Sequence, residues 1–171
     1  MKTIKTEVYQ FAELSETAKE KAIINCININ LQDGWWESTY EDAKNIGLCL
    51  SSFDIDRNRN AQGEFLLAAN EVAANIFKGH GENCTTWVTA NNFMNEWQPI
   101  FDSYMDENSE NYESSEYENI LQELENDFLN SLLEDYSILL QKEYEYLYSD
   151  EAIIETIEAN EYYFLEDGSK Y

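Results

Sequence analysis

Basic residues are scarce: 10 Lys and Arg stand against 35 Asp and Glu in 171 residues, a formal net charge of −25. A chain this negative repels phosphate backbones and anionic lipid, so no direct binding to nucleic acid or membrane is expected. Proline occurs once and glycine six times, which argues against a disordered chain. Cys26, Cys49 and Cys84 are an odd number with no CxxC pair, a usage that fits a reducing compartment better than a disulfide framework. No stretch approaches the roughly 18 apolar residues of a membrane span. The opening MKTIKTEVYQF lacks the apolar block of a signal peptide, so a cytoplasmic location is expected. Walker, GxGxxG, GxSxG and HExxH motifs are missing, and phosphate cradling and zinc hydrolysis lose their usual evidence. No cofactor is called for.

What the chain does have is a core. Hydrophobic residues make up 43% of it and aromatics 14%, and at this length folding buries roughly two thirds of the surface that the unfolded chain exposes. The expected architecture is one α+β domain over 1–171, mostly helical, with a small antiparallel sheet built from N-terminal, central and C-terminal strands.

Local signals place the elements. TIKTEVYQF (3–11) reads as a strand. Ser15 can cap a helix through SETAKEKAIINCININL, which Asp33-Gly34 breaks. WWESTYEDAKNIG (35–47) suits a helix ending at Gly47, LCLSSFDID (48–56) a strand, and RNRNAQG (57–63) a polar loop. Helical spacing recurs from Glu64 to Lys78. Thr85 or Thr86 can cap the next helix, which Pro99 should kink or restart. Residues 106–116 read as a loop or helix extension. Tyr117, Leu121, Leu124, Phe128, Leu132, Tyr136 and Leu139 make the stripe of a long helix to about Tyr148, a stripe that serves a core or a homodimer seam equally well. Ser149 caps a last helix, and a terminal strand turns at Asp167-Gly168.

The acidity is regional. Residues 1–100 hold 14 acids and 8 bases, a net of −6, whereas residues 101–171 hold 21 acids and 2 bases, a net of −19. On the long helix Glu116, Glu123, Asp127 and Glu134 recur near one face, with Glu118 and Glu125 beside them. Like charges at this spacing destabilise a helix by a few tenths of a kcal/mol per pair, about 5–6 Å apart, a separation comparable with that between backbone phosphates. A solvated face is the bland explanation, but so little compensating lysine favours a functional surface. Its expected footprint adds Asp102, Asp106, Glu107, Glu110 and Glu113 to the helical row, with Tyr104 and Tyr112 as aromatic anchors for basic pockets.

Other constellations are weaker. His80, the only histidine, precedes Cys84 in HGENC, where a turn residue on the surface is a better reading than a Cys–His nucleophile. In FDIDRNRNAQGEF (53–65), Asp54, Asp56, Asn58 and Asn60 alternate like calcium ligands, but Arg59 and Phe65 occupy the positions where a calcium loop needs glycine and glutamate. A strand end is the simpler reading, with a metal protein or enzyme using Asp54 and Asp56 as an alternative function. Trp35, Trp36, Trp87 and Trp97 read as core or half-buried residues.

VYQFAELSETAKEKAI (8–23), WWESTYEDAKNIGL (35–48), SSFDIDRNRNAQGEF (51–65) and FMNEWQPIFDSYMDENSENYES (93–114) together resemble a family of small acidic proteins from bacteriophages and prophages, sometimes labelled antitoxin-like. The resemblance covers nearly the whole chain and carries over no catalytic or binding residue. It implies phage origin and action inside an infected bacterial cell. The expected function is then non-enzymatic inhibition of a defence nuclease, of CRISPR or restriction type, by nucleic-acid mimicry. The partner would be a basic nucleic-acid-binding protein or nuclease complex. An antitoxin-like or regulatory module that sequesters a basic protein is the alternative closest in physics.

Overall fold

The computed structural model describes residues 5–31 and 34–171; Thr3 and Ile4 of the expected first strand and Asp33 of the expected break lie outside them. In order come β1 (Tyr9–Gln10), a 3-10 turn (Phe11–Glu13), α1 (Glu16–Asn25), α2 (Glu37–Ile46), β2 (Leu48–Asp54), β3 (Asn60–Phe65), α3 (Ala69–Gly79), α4 (Thr85–Met105), α5 (Ser115–Leu147), α6 (Asp150–Ala159) and β4 (Tyr163–Phe164). The fold is mostly helical α+β with short antiparallel strands, as expected. The strands form two separate ladders, β1 with β4 and β2 with β3, so the central strand does not join the terminal pair. Two compact units are present: Met1–Trp35 with Lys142–Tyr171, and Trp36–Gln141, the division falling inside α5.

The first unit is assembled from distant parts of the chain. Tyr9 pairs with Phe164 and Gln10 with Tyr163. Both expected serine caps form: Ser15 Oγ accepts from the Ala18 N–H and Ser149 Oγ from the Ala152 N–H, each at 3.3 Å. Helix α1 stops at Asn25, short of the expected end, because the run 23–30 consists of Ile, Asn and one Cys, all weak helix formers. Phe11, Leu14, Ala22, Ile153, Ile157 and Phe164 are among the buried core residues. Gly168, with φ +82°, brings the C-terminal turn so close to α1 that a Cβ there would meet the Ala18 carbonyl. Lys21 Nζ is 2.6 Å from Asp167 Oδ2, and that hydrogen bond, helped by Ser169, holds the Asp167 carboxyl down at about 2.

In the second unit Gly47, in the left-handed region at φ +96°, ends α2 and delivers the chain into β2. The hairpin runs from Leu48↔Phe65 to Asp54↔Asn60 with a bulge between Leu50 and Ser52. Part of the expected polar loop is therefore strand: NAQG has no alternating pattern of its own, and β2 supplies its partner. The start expected for α3 is also displaced, since Glu64 and Phe65 belong to β3 and the helix begins at Ala69. Helix α4 runs continuously through Pro99, so the chain does not restart a helix there. Its N-cap is Cys84, without a side-chain cap, so neither Thr85 nor Thr86 caps it. Leu121, Phe128, Leu132, Tyr136 and Leu140 carry the buried face of α5, while Leu139, expected in the stripe, is 39% exposed. Phe93 and Phe128 stack at the centre of this core, 4.2 Å apart and 4° from parallel. Trp97 is buried and Trp36 and Trp87 are half-buried, as is Trp35 in the first unit.

Candidate functional site

The acidic surface lies wholly within the second unit, on the end of α4, the connecting loop and α5. Residues 101–141 contain 12 acids and no Lys or Arg. At 100° per residue, Glu116, Glu123, Asp127 and Glu134 fall within about 40° of one another, far round the helix from the buried stripe. All four are exposed. The row expected from sequence is therefore displayed on one face.

Three expectations need correcting. Glu134 is not a free carboxylate, because the Arg59 guanidinium pairs with it while also donating to Gln141 Oε1 at 3.3 Å. Glu118 and Glu125 do not flank the row, since helical geometry puts both on roughly the opposite side of α5; Glu125 is half-buried and accepts from Trp97 Nε1 at 3.2 Å. Tyr104 is half-buried against the core and is a poor anchor, whereas Tyr112 is 40% exposed.

The loop between α4 and α5 is held by its own side chains. Asp106 Oδ1 accepts from the Asn108 backbone N–H at 2.9 Å and from its side-chain amide at 3.1 Å. These bonds, the backbone one first, keep the Asp106 carboxyl below its ordinary range. Ser103 and Ser109 hydroxyls meet at 2.9 Å, Asn111 Nδ2 donates to Ser103 Oγ at 3.0 Å, and the Glu113 N–H closes on the Tyr104 carbonyl at 3.0 Å. Helix α5 starts at Ser115, so 106–114 is loop rather than helix extension. Asp102, Asp106, Glu107, Glu110, Glu113 and Glu116 are all exposed around it.

The constellation around His80 is different in kind. Its Nδ1 is 2.7 Å from Thr86 Oγ1, its Nε2 is 3.4 Å from Asp42 Oδ1, and Tyr136 donates to Asp42 Oδ2 at 2.8 Å. The His80 hydrogen bond is the largest cause holding the Asp42 carboxyl below its ordinary value, and burial works against it. Burial chiefly drives the Tyr136 phenol far up. Hydroxyl, imidazole and carboxylate follow the order of a nucleophilic triad, but accessibility is inverted: Thr86 is 2% exposed while the Asp42 side chain is 49% exposed. A nucleophile must meet its substrate, so the network reads as a polar clamp joining α2, α3, α4 and α5. Beside it Thr89 Oγ1 donates to Asp135 Oδ2 at 2.7 Å, yet burial still raises the Asp135 carboxyl. Sequence reasoning missed this clamp, whose members are spread from Asp42 to Tyr136, and His80, expected on the surface, has a side chain only 11% exposed because Thr86 and Asp42 hold it from both sides.

Asp54 Oδ1 accepts from the Asp56 N–H at 2.8 Å and closes the turn after β2. Among the described residues no three His, Cys, Asp or Glu side chains come together as metal ligands. Among them, too, no helix is long and apolar enough to cross a membrane.

Comparison of the chain with family models, curated proteins and solved structures finds no match.

Proposed function

We propose that the α4–loop–α5 surface binds a basic nucleic-acid-binding protein of a bacterial cell in place of its nucleic acid. The observation that supports this most is the exposed row of Glu116, Glu123 and Asp127, continued by the loop carboxylates, in a stretch without one Lys or Arg. Such a surface costs its own protein stability through repulsion. It returns that energy when a channel lined with Lys and Arg closes on it, the same channel that attracts phosphate. The loop is pre-ordered by the Asp106, Ser103 and Asn111 hydrogen bonds, which lowers the entropy lost on binding. The function that fits is non-enzymatic inhibition of a defence nuclease, of CRISPR or restriction type, by a phage-encoded protein; the phage setting rests on the sequence resemblance alone.

The test is capture from bacterial lysate on the tagged protein, with elution first by duplex DNA and then by salt, beside a variant carrying Glu107→Lys, Glu116→Lys and Glu123→Lys. A nucleic-acid enzyme released by DNA and lost with the variant is the expected result. Capture undiminished by the three reversals, with the circular dichroism spectrum unchanged, would remove the acidic surface from the interaction. Recovery of one small basic protein indifferent to DNA would assign the antitoxin-like role instead.

A further inference from the structure

Helices α4 and α5 leave an open groove between them. The hydrogen bonds Thr89 to Asp135 and Trp97 to Glu125 fix an antiparallel register, which sets Glu96 abreast of Asp127. Both line the groove, with Asn92 on the α4 wall, Ser131 on the α5 wall and Leu124 beside the Phe93–Phe128 stack at its base. Its volume of about 190 Å3 is below the roughly 300–1,000 Å3 of pockets for drug-sized ligands. A side-chain head group fits; a nucleotide does not.

The charges define the occupant. Glu96 and Asp127 are exposed, and within the described residues neither has a hydrogen bond or ion pair. No basic residue lines the groove. Two unpaired carboxylates on facing walls repel each other until a cation lies between them. Phe93 and Phe128 are 6% and 3% exposed and are stacked on each other, so the base of the groove offers an apolar contact. The attraction for a cation comes from the carboxylates, while the two rings and Leu124 shelter an aliphatic stem. A guanidinium has five donors in a planar fork and can address both walls at once, reaching Asn92 Oδ1 and Ser131 Oγ as well. An ammonium is a compact charge with three donors and no planar fork, so it matches the two walls less well.

We propose that this groove receives an arginine side chain of the basic partner and is the specific contact within the diffuse acidic surface. The inference rests on the proposed function for its partner, but the groove can be tested without one. The probe is a capped Gly-Arg-Gly tripeptide, with Gly-Lys-Gly as control at matched ionic strength, followed by NMR at the Asn92 and Ser131 amides and the Phe93 and Phe128 ring carbons. Expected are saturable shifts at these groups with the arginine peptide up to about 10 mM. The lysine peptide should bind several-fold more weakly, and Glu96→Gln with Asp127→Asn should weaken the arginine peptide by about tenfold. Equal responses to both peptides, or shifts spread over 102–118 with none at the groove, would overturn the proposal. A partner still captured by that double variant and released by DNA would leave the mimicry standing while removing the groove. Arginine binding without any DNA-released partner would do the reverse.

Discussion

His80 Nε2 stands 3.4 Å from Asp42 Oδ1, and the same carboxylate takes the Tyr136 hydroxyl on its other oxygen at 2.8 Å. Because these partners hold the Asp42 carboxyl below its unfolded value, its contribution is full above that unfolded value and is lost as pH falls through the folded one. Asp42→Asn should therefore lower stability at neutral pH, and the gap to the parent should close below about pH 4. Urea unfolding of both proteins across that range is the check; a gap that persists at the acid end would mean the carboxylate's charge is not what the clamp uses.

Asp135 should behave in the opposite sense. Burial raises its carboxyl against the opposing hydrogen bonds from Thr89 and Thr85, so the native state binds its proton more tightly than the unfolded one. The cost is complete above the folded value and vanishes below the unfolded value. Asp135→Asn keeps an acceptor for Thr89 and should raise the neutral-pH Tm by up to about 2–4 °C, with no gain in acid. A lower Tm at neutral pH would show that both threonine bonds need the carboxylate.

The signals legible in the sequence were those that act within a few residues. Ser15 and Ser149 as caps, Gly47 as a helix stop and Asp167-Gly168 as a turn are all local chemistry, and the structure uses each. Strand β3 was not legible because NAQG becomes a strand only through β2. Nor could α5 show its detail: a stripe read as Leu139 shifts to Leu140, and Glu134 leaves the free acidic row because Arg59, far off in sequence, comes to it. Glu96 went unnoticed on α4 for the same reason, since its relation to Asp127 exists only in the helix pair.

Gly168 and Gly79 offer a matched pair of substitutions. A Cβ at Gly168 meets the Ala18 carbonyl and its backbone is at φ +82°, whereas a Cβ at Gly79 finds nothing within 4 Å. Gly168→Ala should cost upward of about 2 kcal/mol, and Gly79→Ala, at the end of α3, should be neutral or slightly stabilising. Thermal melts of the two variants settle it, and equal behaviour would mean the C-terminal turn moves off α1 at little cost.

Repulsion among the carboxylates should be visible in the whole protein. With a net charge of −25, adding salt from about 10 mM to about 150 mM shortens the Debye length from roughly 30 to 8 Å and should raise Tm by several degrees. The charge-reversed variant Glu107→Lys, Glu116→Lys, Glu123→Lys should start from a higher Tm and respond less. A flat salt profile would show that the acids are already too far apart to feel one another.

The pairing of Tyr9 with Phe164 has a consequence for how the protein is made. Tyr9 leaves the ribosome before helices α1 to α6 have been made and Phe164 only after them, so the first strand waits for all six before its partner exists. Residues 36–141, by contrast, form a continuous stretch whose hairpin and helices can close before the segment that carries Phe164 has left the exit tunnel. During that interval Phe11, Leu14 and Ala22 have no Ile153, Ile157 or Phe164 to cover them. The nascent chain thus passes through a stage with its second unit organised and the apolar residues of its first strand and helix uncovered, the stage at which a chaperone would have most to hold.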